Sequence, residues 1–274
     1  MTAQKKTLRT SIVQMILRYP LLRQLARRVR VTLFRSYGVL YYRRVKRYCP
    51  VCQNGCGKSF LGFGGYFGED NNSDCACARC GSHHRHRFHW LILAQQLFRQ
   101  ENSGCSLLHF APESFFAKRF EDFFGDNYVT GDIEPGRAKF VVDITDICFP
   151  ENKFDYIICS HVLEHIVDDI TALKELYRVL KPGGTAYLSV PLRREEATYE
   201  DYSITSPAER TTHFGRYDHV RHYGTDIVDR IKSVGFCVEV KVPSDIVPSE
   251  CLRETLGLHD DSDKYYIAKK PLRE

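Results

Sequence analysis

The chain predicts an α/β fold: a mostly parallel sheet covered by helices, preceded by a small cysteine module and a basic helical leader. Three observations carry this expectation. Residues 154–192 read as strand, helix, strand. Three shorter apolar runs before them each lead to an acidic residue, Glu113, Asp132 or Asp143. Two Cys-x-x-Cys pairs, separated by 24 residues, stand in front of all of these.

With 274 residues there is room for one large domain or a domain plus a module. A chain of this length buries roughly three quarters of its extended surface without disulfide staples. Six of the eleven cysteines nevertheless fall between Cys49 and Cys80, and that clustering favours a metal over a secreted disulfide framework. No cleavable signal is evident, and no uncharged apolar run approaches the roughly twenty residues of a membrane span. The expected setting is therefore reducing and cytoplasmic.

The net charge of +5 is unevenly held. Residues 1–48 carry 13 Lys or Arg and no Asp or Glu, leaving 26 basic against 34 acidic residues in the remainder. In this leader Ile12, Met15, Ile16, Leu21, Leu22, Leu25, Val29, Leu33 and Phe34 alternate with arginines, broken once at Pro20. Such a helix has a cationic side and an aliphatic side. It suits peripheral contact with an anionic membrane surface, a phosphate backbone or an acidic partner. The same composition fits an arm packed on the main domain or an organellar transit peptide.

Residues 49–87 form the cysteine module. Cys49 and Cys52 make one pair, Cys77 and Cys80 the other, and paired thiolates two residues apart offer the four-sulfur shell that structural zinc prefers. Phe60 to Phe67, aromatic and rich in glycine, fit a short hairpin that the metal staples. Cys56 and Cys75 could each replace a member of a pair, which leaves the fourth ligand open among Cys56, Cys75 and Cys77, or they are spare thiols. The run Ser82-His83-His84-Arg85-His86-Arg87 reads as the solvated start of a helix, or as a set of further ligands or anion-gripping groups.

The main domain, residues 88–274, opens with that helix, which places Leu91, Leu93, Ala94, Leu97 and Phe98 largely on one face. A strand over 107–110 leads into Ala111-Pro112-Glu113 and a helix with Phe115, Phe116, Phe120, Phe123 and Phe124 inward. A second strand over 128–130 ends in Gly131-Asp132, and a third over 140–142 ends in Asp143. On a parallel sheet these acids line up along one rim, where carboxylates can take ribose hydroxyls or an adenine amine.

Next comes the strand–helix–strand unit. Tyr156-Ile157-Ile158-Cys159 is β-branched and aromatic, whereas Ile166, Ile170, Leu173, Leu176, Tyr177 and Leu180 recur at helical steps until Pro182-Gly183-Gly184 stops them. A crossover this long implies parallel strands. Ser160, His161, Glu164 and His165 then sit where ligands bind such sheets, or serve as ordinary helix-start residues.

Residues 192–223 are too long for an ordinary connection and read as a lid or binding insertion on the substrate side. His219 beside Asp218 is a candidate general base, and Arg210 and Arg221 are candidate holders of a substrate carboxylate or phosphate. A helix over 226–234, a strand over 236–242 and a last strand over 265–269 close the domain as an antiparallel edge pair.

The run V-V-D-I-T-D-I-C-F-P-E-N-K-F-D-Y-I-I-C-S-H-V-L-E-H from Val141 to His165, followed by R-V-L-K-P-G-G-T from Arg178 to Thr185, resembles the class I S-adenosylmethionine-dependent methyltransferases. Within that family it is similar to the ubiquinone- and menaquinone-pathway C-methyltransferases. The likeness covers residues 105–242. The cysteine module, S-x-x-R-H-R, L-H-F-A-P-E and D-H-V-R-H-Y-G together look like a subgroup of bacterial methyltransferases with an N-terminal zinc ribbon. The resemblance implies a Rossmann-like methyltransferase sheet that binds S-adenosylmethionine. Glu113 would touch the methionine end, Asp132 the ribose, Asp143 with Ile144 the adenine, and His161 the sulfonium, with His109, Ala111, Ile133 and Ser160 flanking them. His165, Asp218 and His219 would serve the acceptor.

The turn H-F-A-P-E departs from the family's glycine-rich pattern, since it contains no glycine. The expected acceptor is a small molecule, a glycan or a lipid-linked intermediate. RNA suits the acidic remainder of the chain less well. A non-catalytic scaffold on a degenerate methyltransferase fold is the competing reading.

Overall fold

The computed structural model describes residues 47–57, 60–63, 72–102, 104–192, 197–259 and 264–272. The basic helix expected in the leader lies outside them up to position 46. Positions 47 and 48 instead open a strand.

Two small antiparallel ribbons come first: β1 (Arg47–Cys49) with β2 (Asn54–Gly57), and β3 (Leu61–Phe63) with β4 (Asn72–Ala76). Helix α1 (His84–Leu97) then leads into β5 (Leu107–Phe110), α2 (Ser114–Phe124), β6 (Tyr128–Asp132) and β7 (Phe140–Val141). These are followed by β8 (Phe154–Ser160), α3 (Asp169–Val179) and β9 (Leu180–Ser189). The insertion holds β10 (Tyr199–Glu200), α4 (Pro207–Phe214) and β11 (Arg221–His222). Last come α5 (Ile227–Ser233), β12 (Cys237–Lys241), α6 (Pro243–Ile246), α7 (Glu250–Leu256) and β13 (Tyr265–Lys269).

Among the described residues the main sheet has seven strands in the order β12-β13-β9-β8-β5-β6-β7. Pairing is parallel from β9 to β7, while β13 runs antiparallel to both β9 and β12, which gives the expected antiparallel pair at that edge. Alternation along the strands divides the core. Leu108, Phe110, Ile157 and Cys159 face α3 and α5, whereas Leu107, Ile158, Tyr187 and Ile267 face α1 and α2. Burial on both faces explains why β8 reads as a continuous apolar run.

Helix α3 is shorter than the hydrophobic spacing suggests. A single 3₁₀ turn, Leu163–His165, precedes it, and the helix proper starts where the Asp168 side chain accepts from the Thr171 N–H at 2.9 Å. It ends at Val179 because Leu180 turns extended to pair with Phe154. Gly184 completes that switch: a Cβ there would sit 2.9 Å from the Asp155 and Lys181 carbonyl oxygens.

The cysteine module is fastened to the sheet rather than tethered. Cys49, Val51, Cys56, Phe60 and Cys77 belong to the same buried cluster as Phe88, Leu107 and Tyr265. Arg87 crosses this junction fully buried. It donates to the carbonyls of Leu256 (2.6 Å), Cys75 (2.9 Å), Ser82 (3.0 Å) and Gly257 (2.9 Å), and its guanidinium lies 3.6 Å from the Phe60 ring centre. The histidine-arginine run is therefore a packed helix start, not a solvated one: Ser82, His86 and Arg87 are buried and His83, His84 and Arg85 half-buried. No helix among the described residues is long and apolar enough to cross a membrane.

Candidate functional site

Parallel register sets Phe110 beside Gly131 and Cys159, and Asp132 beside Val141, so the carboxyl ends of β5 to β8 meet along one rim. Glu113 stands just beyond β5, where its Oε2 lies 2.7 Å from Nε2 of His109. His109 Nδ1 lies 2.9 Å from the Tyr128 hydroxyl. His109 is fully buried, so it is set in the wall beneath the rim, holding Glu113, and does not face a ligand as expected. Ala111 takes a left-handed backbone, φ 47°, and its N–H donates to the Gly131 carbonyl at 2.9 Å. The glycine-free turn thus keeps a conformation natural to glycine.

Farther along, Asp132 Oδ1 accepts from the Glu134 N–H at 2.8 Å, and Ile133 is 62% exposed. Asp143 is exposed and accepts from the N–H and hydroxyl of Thr145 at 2.8 and 2.7 Å. Ile144, by contrast, is buried in the core behind the rim. Ser160 ends β8 half-buried, and His161 follows with φ 54°, its N–H on the Ser189 carbonyl and its Nδ1 3.2 Å from Glu164 Oε1. Burial and the charge of Arg85 pull the His161 imidazole below its ordinary range, against the hydrogen bond it donates to Glu164. Three buried polar atoms on α1 and β13 lack hydrogen-bond partners among the described residues: Arg85 Nε, His89 Nδ1 and the Tyr265 hydroxyl. The His89 ring stacks on Tyr265 at 4.0 Å. The sequence reading reached only Arg85, as part of the Ser82-to-Arg87 run of possible ligand or anion-gripping groups, and gave His89 and Tyr265 no role.

A cleft of about 320 Å³ joins this rim to a second cluster, and is lined by Asp143, Thr145, His165, Ile166, Val167 and Asp168. Glu164, His165 and His219 each offer a ligand atom within 4.8 Å of the others. Glu164 is 1% exposed. Its burial favours the neutral acid, but the hydrogen bond from His161 and the charges of His161, His165 and His219 outweigh that and hold the carboxyl below its usual range. Burial lowers His219 to about 4, so at neutral pH its Nδ1–H donates to the Phe214 carbonyl, 3.2 Å away.

The pairing of Asp218 with His219 expected from their adjacency does not form. The Asp218 carboxylate lies 3.0 Å from Arg216 Nε, and its carbonyl accepts from His165 Nδ1–H at 3.1 Å. Nor is Arg221 available to a substrate anion. It is fully buried, donating to the carbonyls of Ile166 and Val167 at 2.8 Å each and to Glu200 at 2.9 Å. With Tyr223, whose hydroxyl donates to Asp169 at 2.7 Å, it clamps the insertion onto the start of α3. Arg210, on α4, donates to the Ile204 carbonyl just before that helix at 3.3 Å.

Beside the start of α1, the four cysteines Cys49, Cys52, Cys77 and Cys80 bring their sulfurs within 4.8 Å of one another. Cys49 to Cys80 and Cys52 to Cys77 are each 3.7 Å. A tetrahedron of thiolates about 2.3 Å from a central zinc has edges of about 3.8 Å, so the donor set fits that ion. Cys56 Sγ lies 3.4 Å from Cys77 but outside the quartet, and the Ser82 hydroxyl sits 3.2 Å from Cys49 and 3.1 Å from Cys80.

Among solved structures the chain is similar to an S-adenosylmethionine-dependent methyltransferase from Archaeoglobus fulgidus, at 17% identity and a TM-score of 0.45, over 67% of this chain and 92% of that one. Among curated proteins it is 40% identical over 93 residues to the tRNA U34 carboxymethyltransferase of Nautilia profundicola, covering 34% of this chain and 29% of that protein. It is 51% identical over 39 residues to the demethylmenaquinone methyltransferase of a Geobacillus species, covering 14% and 17%. The chain therefore spans less than a third of the length of these curated relatives. Residues 119–188 match a family model described as a methyltransferase domain, and that stretch contains Asp132, Asp143, Ser160, His161, Glu164 and His165.

Proposed function

We propose that the protein is an S-adenosylmethionine-dependent methyltransferase. The observation that carries this reading is the row of Glu113, Asp132 and Asp143 on the ends of neighbouring parallel strands, inside and beside the stretch that matches a methyltransferase domain. When bound, the cofactor supplies a methyl group on a cationic sulfur. Asp132 would take the ribose hydroxyls, the exposed Ile133 an adenine face, and Asp143 the adenine edge, with Ile144 only backing it. Glu113, held from below by His109, suits the ammonium of the methionine end. The half-buried guanidinium of Arg85, close enough for its charge to act on His161, suits its carboxylate. Ser160 and His161 border the sulfonium.

Acceptor activation falls to Glu164, His165 and His219, with Asp218 steadying His165. Methyl transfer needs chiefly in-line placement, and the insertion that carries His219 supplies it. The acceptor is a small, glycan or lipid-linked molecule. Beyond residue 48 the chain carries 34 acidic against 26 basic residues, a poor surface for RNA. Zinc in the four-cysteine site has a structural role, since four thiolates leave it no open position.

Calorimetry with S-adenosylmethionine and S-adenosylhomocysteine tests the reading. Micromolar binding that Asp132→Ala weakens at least tenfold is expected. Absence of binding in folded, zinc-loaded protein would overturn it in favour of a scaffold.

A further inference from the structure

Glu164 and His165 lie in the turn after β8, His219 in the loop before β11, and the two segments are joined by the Val220 N–H donating to the Glu164 carbonyl at 2.9 Å. Each histidine donates its Nδ1–H to a backbone carbonyl, His165 to Asp218 and His219 to Phe214. That leaves Nε2 as the ligand atom of each ring. Metal-binding histidines are oriented in this way, with the second nitrogen fixed by an outer hydrogen bond. The rings stand nearly perpendicular, 80° apart with centres at 4.8 Å, so they converge without stacking. Glu164 completes the set: Oε1 is engaged by His161, while Oε2, wholly buried, has no hydrogen-bond partner among the described residues. A buried carboxylate oxygen left unpaired beside two imidazole nitrogens calls for a cation.

We propose that Glu164, His165 and His219 bind a divalent transition-metal ion, with its remaining positions open to the cleft for an oxygen of the methyl acceptor. Two imidazoles and one carboxylate suit first-row metals, and such a set leaves coordination positions free. A hydroxyl held there ionises more readily, its proton passing to solvent through the cleft, and the oxygen can then form a bond to the methyl carbon as the bond to the sulfonium breaks and a neutral thioether leaves. The site stands on its three side chains alone. Its role toward a methyl acceptor rests on the function proposed above.

The test uses the full chain with zinc already filling the cysteine quartet, titrated with Co²⁺. One Co²⁺ per chain is expected, giving visible d–d bands without the intense near-ultraviolet thiolate charge transfer that Co²⁺ on cysteines produces. Two exchangeable, strongly shifted imidazole N–H proton resonances should accompany it in the unaltered protein. His165→Ala and Glu164→Gln should each weaken binding about 10- to 100-fold. No Co²⁺ beyond the cysteines, thiolate bands on the added ion, or equal affinity in folded variants would overturn the site. Binding of S-adenosylmethionine without Co²⁺ sinks the metal site alone, whereas Co²⁺ binding without S-adenosylmethionine keeps the site and sinks the methyltransferase reading.

Discussion

Nε2 of His109 and Oε2 of Glu113 lie 2.7 Å apart, one residue fully buried in β5 and the other at the rim above it. The hydrogen bond fixes the one acidic side chain of the glycine-free turn, and under the proposed function this side-chain support would replace some of the hold that a glycine-rich turn gives through its backbone. A bond to a charged group contributes about 1.5–3 kcal/mol. Glu113→Gln should therefore raise the S-adenosylmethionine dissociation constant roughly tenfold or more. His109→Phe, which leaves the carboxylate in place but unheld, should raise it less. Calorimetry on both variants decides this, and equal effects would mean that His109 does not act through Glu113.

Ala111 offers a test of the turn itself. A side chain at φ 47° costs about 1–2 kcal/mol, and glycine removes that strain while loosening the unfolded chain by about 0.4–1 kcal/mol. Ala111→Gly should leave a net gain of roughly 0.5–1 kcal/mol and raise the melting temperature by about 2 °C. Ala111→Val, branched at Cβ, should lower it. Differential scanning calorimetry distinguishes the two directions.

Much of this architecture was legible because each strand carries its own chemistry. β5 and β13 fall where the apolar runs place them, and the acids Glu113, Asp132 and Asp143 stand at the ends that a parallel sheet aligns. Partners across the fold were not legible. Asp218 is adjacent to His219 in sequence yet orients His165, because the loop turns its carbonyl toward the 3₁₀ turn. Arg221 looked like an anion holder and is instead saturated by carbonyls 54 and 55 residues away. Helix α4 could have been read: Ser206 accepts from the Glu209 N–H, with Pro207 opening the helix, a start signal present in the sequence. Helices α6 and α7 are four and seven residues long, too short for periodicity to register.

The cysteine quartet predicts one zinc per chain. Mass spectrometry of metal content should find it retained in Cys56→Ser, since Cys56 lies outside the quartet, and lost in Cys52→Ser. Because the module shares its buried cluster with α1 and β13, chelation should also unfold more than the module. A fall in melting temperature of roughly 10 °C is expected, equivalent to about 3–5 kcal/mol for a chain of this size. An unchanged melt after complete zinc removal would refute the structural role.

The buried histidines of α1 set the acid limit of the fold. Burial first, then the charge of Arg85 at His86 and those of His161 and Arg85 at His89, holds both rings well below the ordinary value of 6.5, so both stay neutral in the folded chain as pH falls. Once unfolded, each takes a proton below about pH 6.5. Stability is therefore full above that pH and declines beneath it, by about 1.4 kcal/mol per pH unit for each histidine until the folded form also protonates. Urea unfolding at pH 7.5, 6.0 and 5.0 should show this decline. His89→Phe keeps the ring stacked on Tyr265 but removes one titrating group, so its slope below pH 6 should be shallower by about 1.4 kcal/mol per unit. An identical slope in the variant would mean that His89 is charged, or accessible to protons, in the native state.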